Sequence, residues 1–366
     1  MADMPSSRVR PAFARGPASR RAVRLAWPVV AAPLPTRARP DPRGEHMPSS
    51  TDSPVATARL GTVRRIGDTA GHSAFTDLVR HRGRWLCAFR EGAGHLSDDG
   101  AIRVLASADG RDWAPLARLE RPATDLRDPR FVARPDGRLQ LLAAAVTGDT
   151  TGPGAGPVKS FRTLTWLSAD GQRWGEPTPV GERDIWVWQA AWHAGAMYGI
   201  GYATREPRFV RLYRSGDGLD LQPTVDTLFL DGYPNESGLV FGPDGTATCL
   251  LRRDRETATA QLGRARPPYR HWTWTDLGVQ VGGPALLGLP DGRLVAGVRL
   301  LDGGPRTAVC AVDPHRGNLT ELVTLPSGGD CGYPGLDWHD GVLRVSYYSS
   351  HEERTCVYLA EVTLDR

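Results

Sequence analysis

The feature that most restricts this chain is a strand–turn–strand unit that recurs along it. HSAFTDLVRHRGRWLCAFREG (72–92), DLRDPRFVARPDGRLQLLAAA (125–145) and IWVWQAAWHAGAMYGIGYAT (185–204) share one plan. So do NESGLVFGPDGTATCLLRR (235–253), GGPALLGLPDGRLVAGVRL (282–300) and CGYPGLDWHDGVLRVSYYSS (331–350). Each holds two apolar-rich runs around a tight turn with Gly near its centre, the pattern of a β-hairpin. The turn glycines Gly83, Gly137, Gly195, Gly245, Gly292 and Gly341 follow one another at roughly fifty-residue intervals, the period of propeller blades. Strand-like runs at 101–107, 163–168 and 307–312 lie between hairpins, enough to complete four strands per blade. A sandwich predicts no six-fold repeat, and no long amphipathic helical pattern interrupts this one. The expected fold is all-β: a six-bladed β-propeller of four-stranded antiparallel blades. The run at 58–66 is placed to pair with 357–364, closing the ring and removing two sheet edges.

Composition narrows the function classes. Lys159 is the one lysine among 45 basic residues, so arginine abundance by itself argues for nothing. Residues 1–46 hold nine arginines against Asp3, Asp41 and Glu45, which more than accounts for the formal charge of +4. With the basic excess confined to that stretch, nucleic acid is not expected as a partner. The apolar runs are too short to cross a bilayer, so no membrane span is expected. Cys87, Cys249, Cys310, Cys331 and Cys356 are scattered and lack metal-ligand spacing, so buried free thiols are expected, with no metal or cofactor. Residues 1–55 are rich in Pro, Arg, Ala and Ser without periodicity and read as a disordered extension, leaving 56–366 as the propeller. Arg20-Arg21 before the apolar run at 25–34 is the outline of a twin-arginine export signal, but Pro28 and Pro33 interrupt it. The preferred reading is translation from Met47 and a cytoplasmic location, with secretion as the alternative if that segment is an export signal.

Candidate chemistry gathers where hairpins of the same sense end. Second strands finish in Arg90-Glu91, Arg252-Arg253, Arg299 and Tyr347-Tyr348; first strands begin with His72, Arg127-Asp128, Gln189, Glu236, Gly282-Gly283 and Tyr333. Glu236 and Arg252 stand equally far from Asp244 at the turn, which makes them cross-strand partners. As an exposed ion pair they would contribute little, whereas in a pocket the carboxylate would orient the guanidinium. Arg299 is equally placed against Gly283, which leaves space for a bound carboxylate beside it. His72, His95 and His351 are pocket candidates that also suit surface or capping roles. SADGRDW (107–113) and SADGQRW (168–174) are near copies, with SGDGLDL (215–221) a degenerate third.

Those copies resemble the Asp box of BNR-repeat proteins, in which Asp109 and Asp170 would cap a turn over Trp113 and Trp174 as structural residues. With six blades, a Glu-to-Arg hairpin, a later strand-end Arg and then a Tyr, the chain from about 60 to 366 resembles the sialidase (neuraminidase) superfamily. The resemblance implies an exo-glycoside hydrolase for a terminal acidic sugar. Tyr333 would be the nucleophile and Glu236 its partner, Arg252 and Arg299 would clamp the substrate carboxylate, and Asp98 or Asp99 would be the acid/base. Tyr347 or Tyr348 are the alternatives to Tyr333. A tyrosine nucleophile is the known exception to the two-carboxylate scheme, and a neutral phenol does not repel an anionic sugar. The family's first-blade Arg-Ile-Pro motif is missing, since that strand reads His72-Ser73-Ala74-Phe75, and Arg90 across the hairpin is the expected substitute. Arg127-Asp128-Pro129 resembles the RDP motif of five-bladed glycosidases, where the Asp orients the sugar; it also suits a turn capped by Asp128. Glu91 and Glu236 would then supply further carboxylates, against which stands the blade count. The rival functions are a propeller glycosidase or lyase for a uronic-acid or neutral glycan, and a non-catalytic glycan-binding propeller.

Overall fold

The computed structural model describes residues 57–149, 158–255 and 257–365. The extension at 1–55, with its Met47 and export-signal readings, lies outside them. The strands form six four-stranded sheets, each antiparallel and each made of neighbours in sequence order except at the closure. Blades one to five occupy 72–119, 125–180, 185–229, 234–276 and 281–324. Blade six is built from 331–365, with Thr57–Gly67 as its outermost strand. The innermost strands are His72–His81, Asp125–Ala133, Ile185–His193, Pro234–Phe241, Val281–Gly288 and Cys331–His339. They pack against one another around the axis, and the sixth returns to the first.

The closure follows the expected pairing, with Ala58 opposite Leu364 and Leu60 opposite Val362. All six turn glycines have positive φ, from 77° at Gly195 to 89° at Gly292, which is the region Gly enters without penalty. The apolar residues do not form one central core. They lie in layers between blades: Leu86 and Val104 of blade one pack with Leu141 and Trp166 of blade two, and Leu250 of blade four with Val298 of blade five. All five cysteines are buried and free. No helix of the described residues is long and apolar enough to cross a membrane.

The aspartate turns behave as caps. Asp109 Oδ1 accepts the N–H groups of Arg111 at 2.8 Å and Asp112 at 3.0 Å. Asp170 and Asp217 repeat this geometry, and Asp313 in blade five does so without the sequence pattern. Those backbone donors pull the Asp109 and Asp170 carboxyls down to about 2. Trp113 packs on the core between neighbouring blades, and Trp174 stacks on Phe131 at 6.2 Å.

Candidate active site

Every innermost strand breaks register near its start, and the site is made there. The breaks fall between Ala74 and Asp77, Arg127 and Arg130, Val187 and Gln189, Pro234 and Ser237, Gly282 and Ala285, and Gly332 and Gly335. A bulge re-aims side chains that the period-two pleat would otherwise place on a sheet face. Four bulged residues have positive φ: Phe75 at 61°, Asp128 at 50°, Gly283 at 53° and Tyr333 at 50°. For the three non-glycines this costs on the order of 1–2 kcal/mol each, so the surrounding packing holds them there.

Tyr333 of blade six and Glu236 of blade four meet beside the start of blade five. The Tyr333 hydroxyl donates to Glu236 Oε1 at 2.7 Å. Arg252 Nη1 donates to Glu236 Oε2 at 2.6 Å and to the Tyr333 oxygen at 2.9 Å. The Gly283 N–H adds a bond to Glu236 Oε2 at 2.8 Å, and Arg252 Nε is held by Asp254 at 2.7 Å. The Arg299 guanidinium lies over the Tyr333 ring, 5.5 Å from its centroid. A cavity of about 380 Å³ opens above this group, lined by Phe161, Trp186, Tyr202, Arg208, Glu236 and Arg252 among others. Burial raises Glu236, but Arg252, the Tyr333 hydroxyl and the Gly283 N–H outweigh it and keep the carboxyl below its usual range. Burial and the Glu236 charge push the Tyr333 phenol up. The resting site therefore holds a neutral phenol hydrogen-bonded to an ionised carboxylate.

The bulges correct one expectation about Arg299. It pairs with Gly282, not Gly283. The space beside Gly283 is filled by Tyr333, since a Cβ there would stand 2.6 Å from Tyr333 Cγ. The glycine admits the tyrosine ring rather than a ligand carboxylate.

Arg90 departs further from its expected clamp role. Its side chain is wholly buried, with Nε on Asp125 at 2.7 Å, Nη1 on the Gly94 carbonyl at 2.9 Å and Nη2 on the Ser97 carbonyl at 2.7 Å. It pins a loop and does not line the cavity. Asp98 on that loop is exposed and paired with Lys159 at 2.8 Å, and Asp99 accepts the Ala93 N–H at 3.1 Å. Gln189 lies beyond its bulge and outside the cavity lining, to which the same strand contributes Trp186. His72 and Tyr348 both bond Asp330, at 2.9 and 2.7 Å, with the Tyr348 ring 5.9 Å from that of Tyr333.

Asp128 is buried at the bulge of blade two, with Oδ1 lacking a hydrogen-bond partner. Burial, reinforced by the Glu236 charge and opposed by Arg127, pushes its carboxyl up to about 6. A raised carboxyl pKa destabilises the fold as pH rises from the unfolded value through the folded one. Asn tolerates the φ of 50° as Asp does, so Asp128→Asn keeps the backbone. This variant is expected to be more stable than wild type by up to about 3 kcal/mol at pH 7.5 and equal to it near pH 4. Urea denaturation at the two pH values measures the difference, and an equal effect at both would dismiss the buried ionisation.

Sequence reasoning also missed Asp254, Arg208, Tyr233 and Asp330. Arg208, which stacks over Tyr233 at 4.6 Å, sits on a loop without periodicity, and Asp330 just precedes a strand.

No family model and no curated protein matches the sequence. Solved structures match in fold. A protein of unknown function from Dyadobacter fermentans aligns with a TM-score of 0.71 at 20% identity, over 85% of this chain and 100% of its own. The Penicillium chrysogenum alpha-L-arabinanase complexed with arabinobiose gives 0.65 at 13%, over 83% of this chain and 98% of its own. The Trypanosoma rangeli sialidase in complex with the inhibitor DANA gives 0.62 at 11%, over 83% of this chain but 59% of its own. By fold, the chain is a six-bladed β-propeller similar over 83–85% of its length to that uncharacterised protein, an arabinanase and a sialidase.

Proposed function

We propose that this propeller is a sialidase-like exo-glycoside hydrolase that releases a terminal acidic sugar. The observation that carries the reading is the Tyr333–Glu236 hydrogen bond of 2.7 Å beneath an open cavity, with Arg252 bridging both residues. In the proposed reaction the Tyr333 oxygen attacks the anomeric carbon as the glycosidic C–O bond breaks. Glu236 takes the phenol proton, and a general acid protonates the departing oxygen. Water then cleaves the tyrosyl–sugar bond: its hydroxyl goes to the sugar and its remaining proton to the general acid, while Glu236 returns the phenol proton to Tyr333. Arg252, which lines the cavity, is assigned to the substrate's carboxylate, with Arg299 beside it over the Tyr333 ring. For the general acid, Asp128 suits better than Asp98 or Asp99, because it is buried and still protonated in mildly acidic solution.

A second reading has its own support. With Arg90 buried and blade one presenting Phe75, the carboxylate clamp is reduced to two arginines. Such a site also fits a uronic-acid or neutral glycan, cleaved by hydrolysis or elimination. A fluorogenic sialoside assay across pH 4–8, run beside a uronide and arabinoside panel, separates the two. Glu236→Gln is expected to lower kcat on the preferred substrate by at least about a hundredfold, since Gln cannot take the proton. Activity on no sialoside at any pH would remove the sialidase reading and leave the fold intact.

A further inference from the structure

The start of blade one and the start of blade six abut where the ring closes, and they bring together two imidazoles and a carboxylate. Asp330 Oδ2 lies 2.9 Å from His72 Nε2 and 2.6 Å from His95 Nδ1. The three donor atoms fall within 4.8 Å of one another. We propose that His72, His95 and Asp330 form a binding site for one divalent first-row transition metal of the zinc class.

The donor set decides the class. Two nitrogens and one carboxylate oxygen suit Zn²⁺, Co²⁺ or Ni²⁺, whereas Ca²⁺ and Mg²⁺ require six or more oxygens. Bonds of 2.0–2.2 Å in tetrahedral geometry would set the ligand atoms about 3.3 Å apart. The two Asp330–imidazole spacings, 2.9 and 2.6 Å, would open outward to reach that value, and the two imidazole nitrogens lie within 4.8 Å of each other. His95 is the movable partner, being 43% exposed, while His72 is fixed in the interior at 7%. The exposed side leaves a coordination position open to water or to an anionic oxygen of a ligand.

The surroundings hold these donors in place. The Tyr348 hydroxyl donates to Asp330 Oδ1 at 2.7 Å, which turns Oδ2 toward the imidazoles. Arg90 fastens the loop on both sides of His95, through the carbonyls of Gly94 and Ser97. Arg127 Nη2 bonds the His95 carbonyl itself at 2.8 Å. The buried arginine that was expected to clamp substrate thus positions a candidate ligand. Arg299 Nη1 lies 3.9 Å from Asp330 Oδ1, the carboxylate oxygen turned away from the imidazoles. Ligands at 72, 95 and 330 have no local spacing, so no sequence motif announces them.

The test does not depend on glycosidase activity. Metal-stripped full-length protein is titrated with Co²⁺, followed by visible d–d absorption, and with Zn²⁺ by calorimetry. One equivalent of each is expected to bind, with Zn²⁺ raising the melting temperature. His95→Ala lies on an exposed loop and keeps the fold, and it is expected to weaken binding at least tenfold and abolish the Co²⁺ spectrum. Asp330→Asn is expected to do the same, and His315→Ala, on the surface elsewhere, to bind like wild type. Absence of stoichiometric binding, or equal binding by His95→Ala and wild type, would reduce the cluster to a hydrogen-bonded hub and overturn the proposal.

Discussion

Tyr333→Phe is expected to yield a folded protein whose kcat on the preferred glycoside is at least about 10³ lower, because the attacking oxygen is gone. The ring stays, so the contacts that seat it against Gly283, Phe75 and Arg299 stay too. Glu236 keeps Arg252 and the Gly283 N–H, so no charge is stranded. The loss should therefore appear in turnover with little change in melting temperature or in affinity for a substrate-like inhibitor. Single-turnover kinetics with a substrate bearing a good leaving group makes the test strict, since it reads the first chemical step alone. Retention of activity within tenfold of wild type would take the nucleophile role from Tyr333 and favour the elimination reading.

The largest expected stability loss is at Arg90→Ala, about 3–5 kcal/mol. Arg90 and Asp125 are both fully buried and joined at 2.7 Å, so truncating Arg90 leaves the Asp125 charge with only the more distant Arg127, at 3.7 Å. The Ser97 carbonyl loses the Arg90 donor at the same time, and the Gly94 carbonyl loses one of its three. A substrate clamp behaves differently: its removal raises KM and leaves the melting temperature alone. Chemical denaturation beside steady-state kinetics separates these roles. Unchanged stability with a raised KM would return Arg90 to the substrate. The double variant Arg90→Met, Asp125→Leu should recover part of the loss, since it removes both charges together.

How much of this was legible in the sequence follows from the range of each interaction. The blades are legible because a hairpin is local: a glycine at the turn and alternating strands around it carry the signal. Glu236 and Arg252 are legible as partners for the same reason, both belonging to one hairpin. Tyr333 could be joined to Glu236 only through a family resemblance, because a contact between blades leaves no trace in spacing. Arg90 misleads because a strand-end arginine looks alike whether it faces water or a buried Asp125 from the next blade. The bulges were missed by counting residues from each turn, which is why Arg299 was set against the wrong glycine. A signal for them exists in Asp128-Pro129, Gly283-Pro284 and Tyr333-Pro334, where a residue without an N–H breaks the ladder at one repeat position.

The clasp between the first and last strands has a mechanical consequence. Thr57 pairs with Asp365, so the two ends of the propeller leave blade six at the same edge. Tension applied at those ends runs along the ladder's hydrogen bonds and loads one pair at a time, beginning with Thr57 and Asp365. The ring is thus closed against thermal opening by a whole strand's worth of bonds, yet it unzips under low pulling force. A sheared geometry, with the ends at opposite edges, would have made every bond break together.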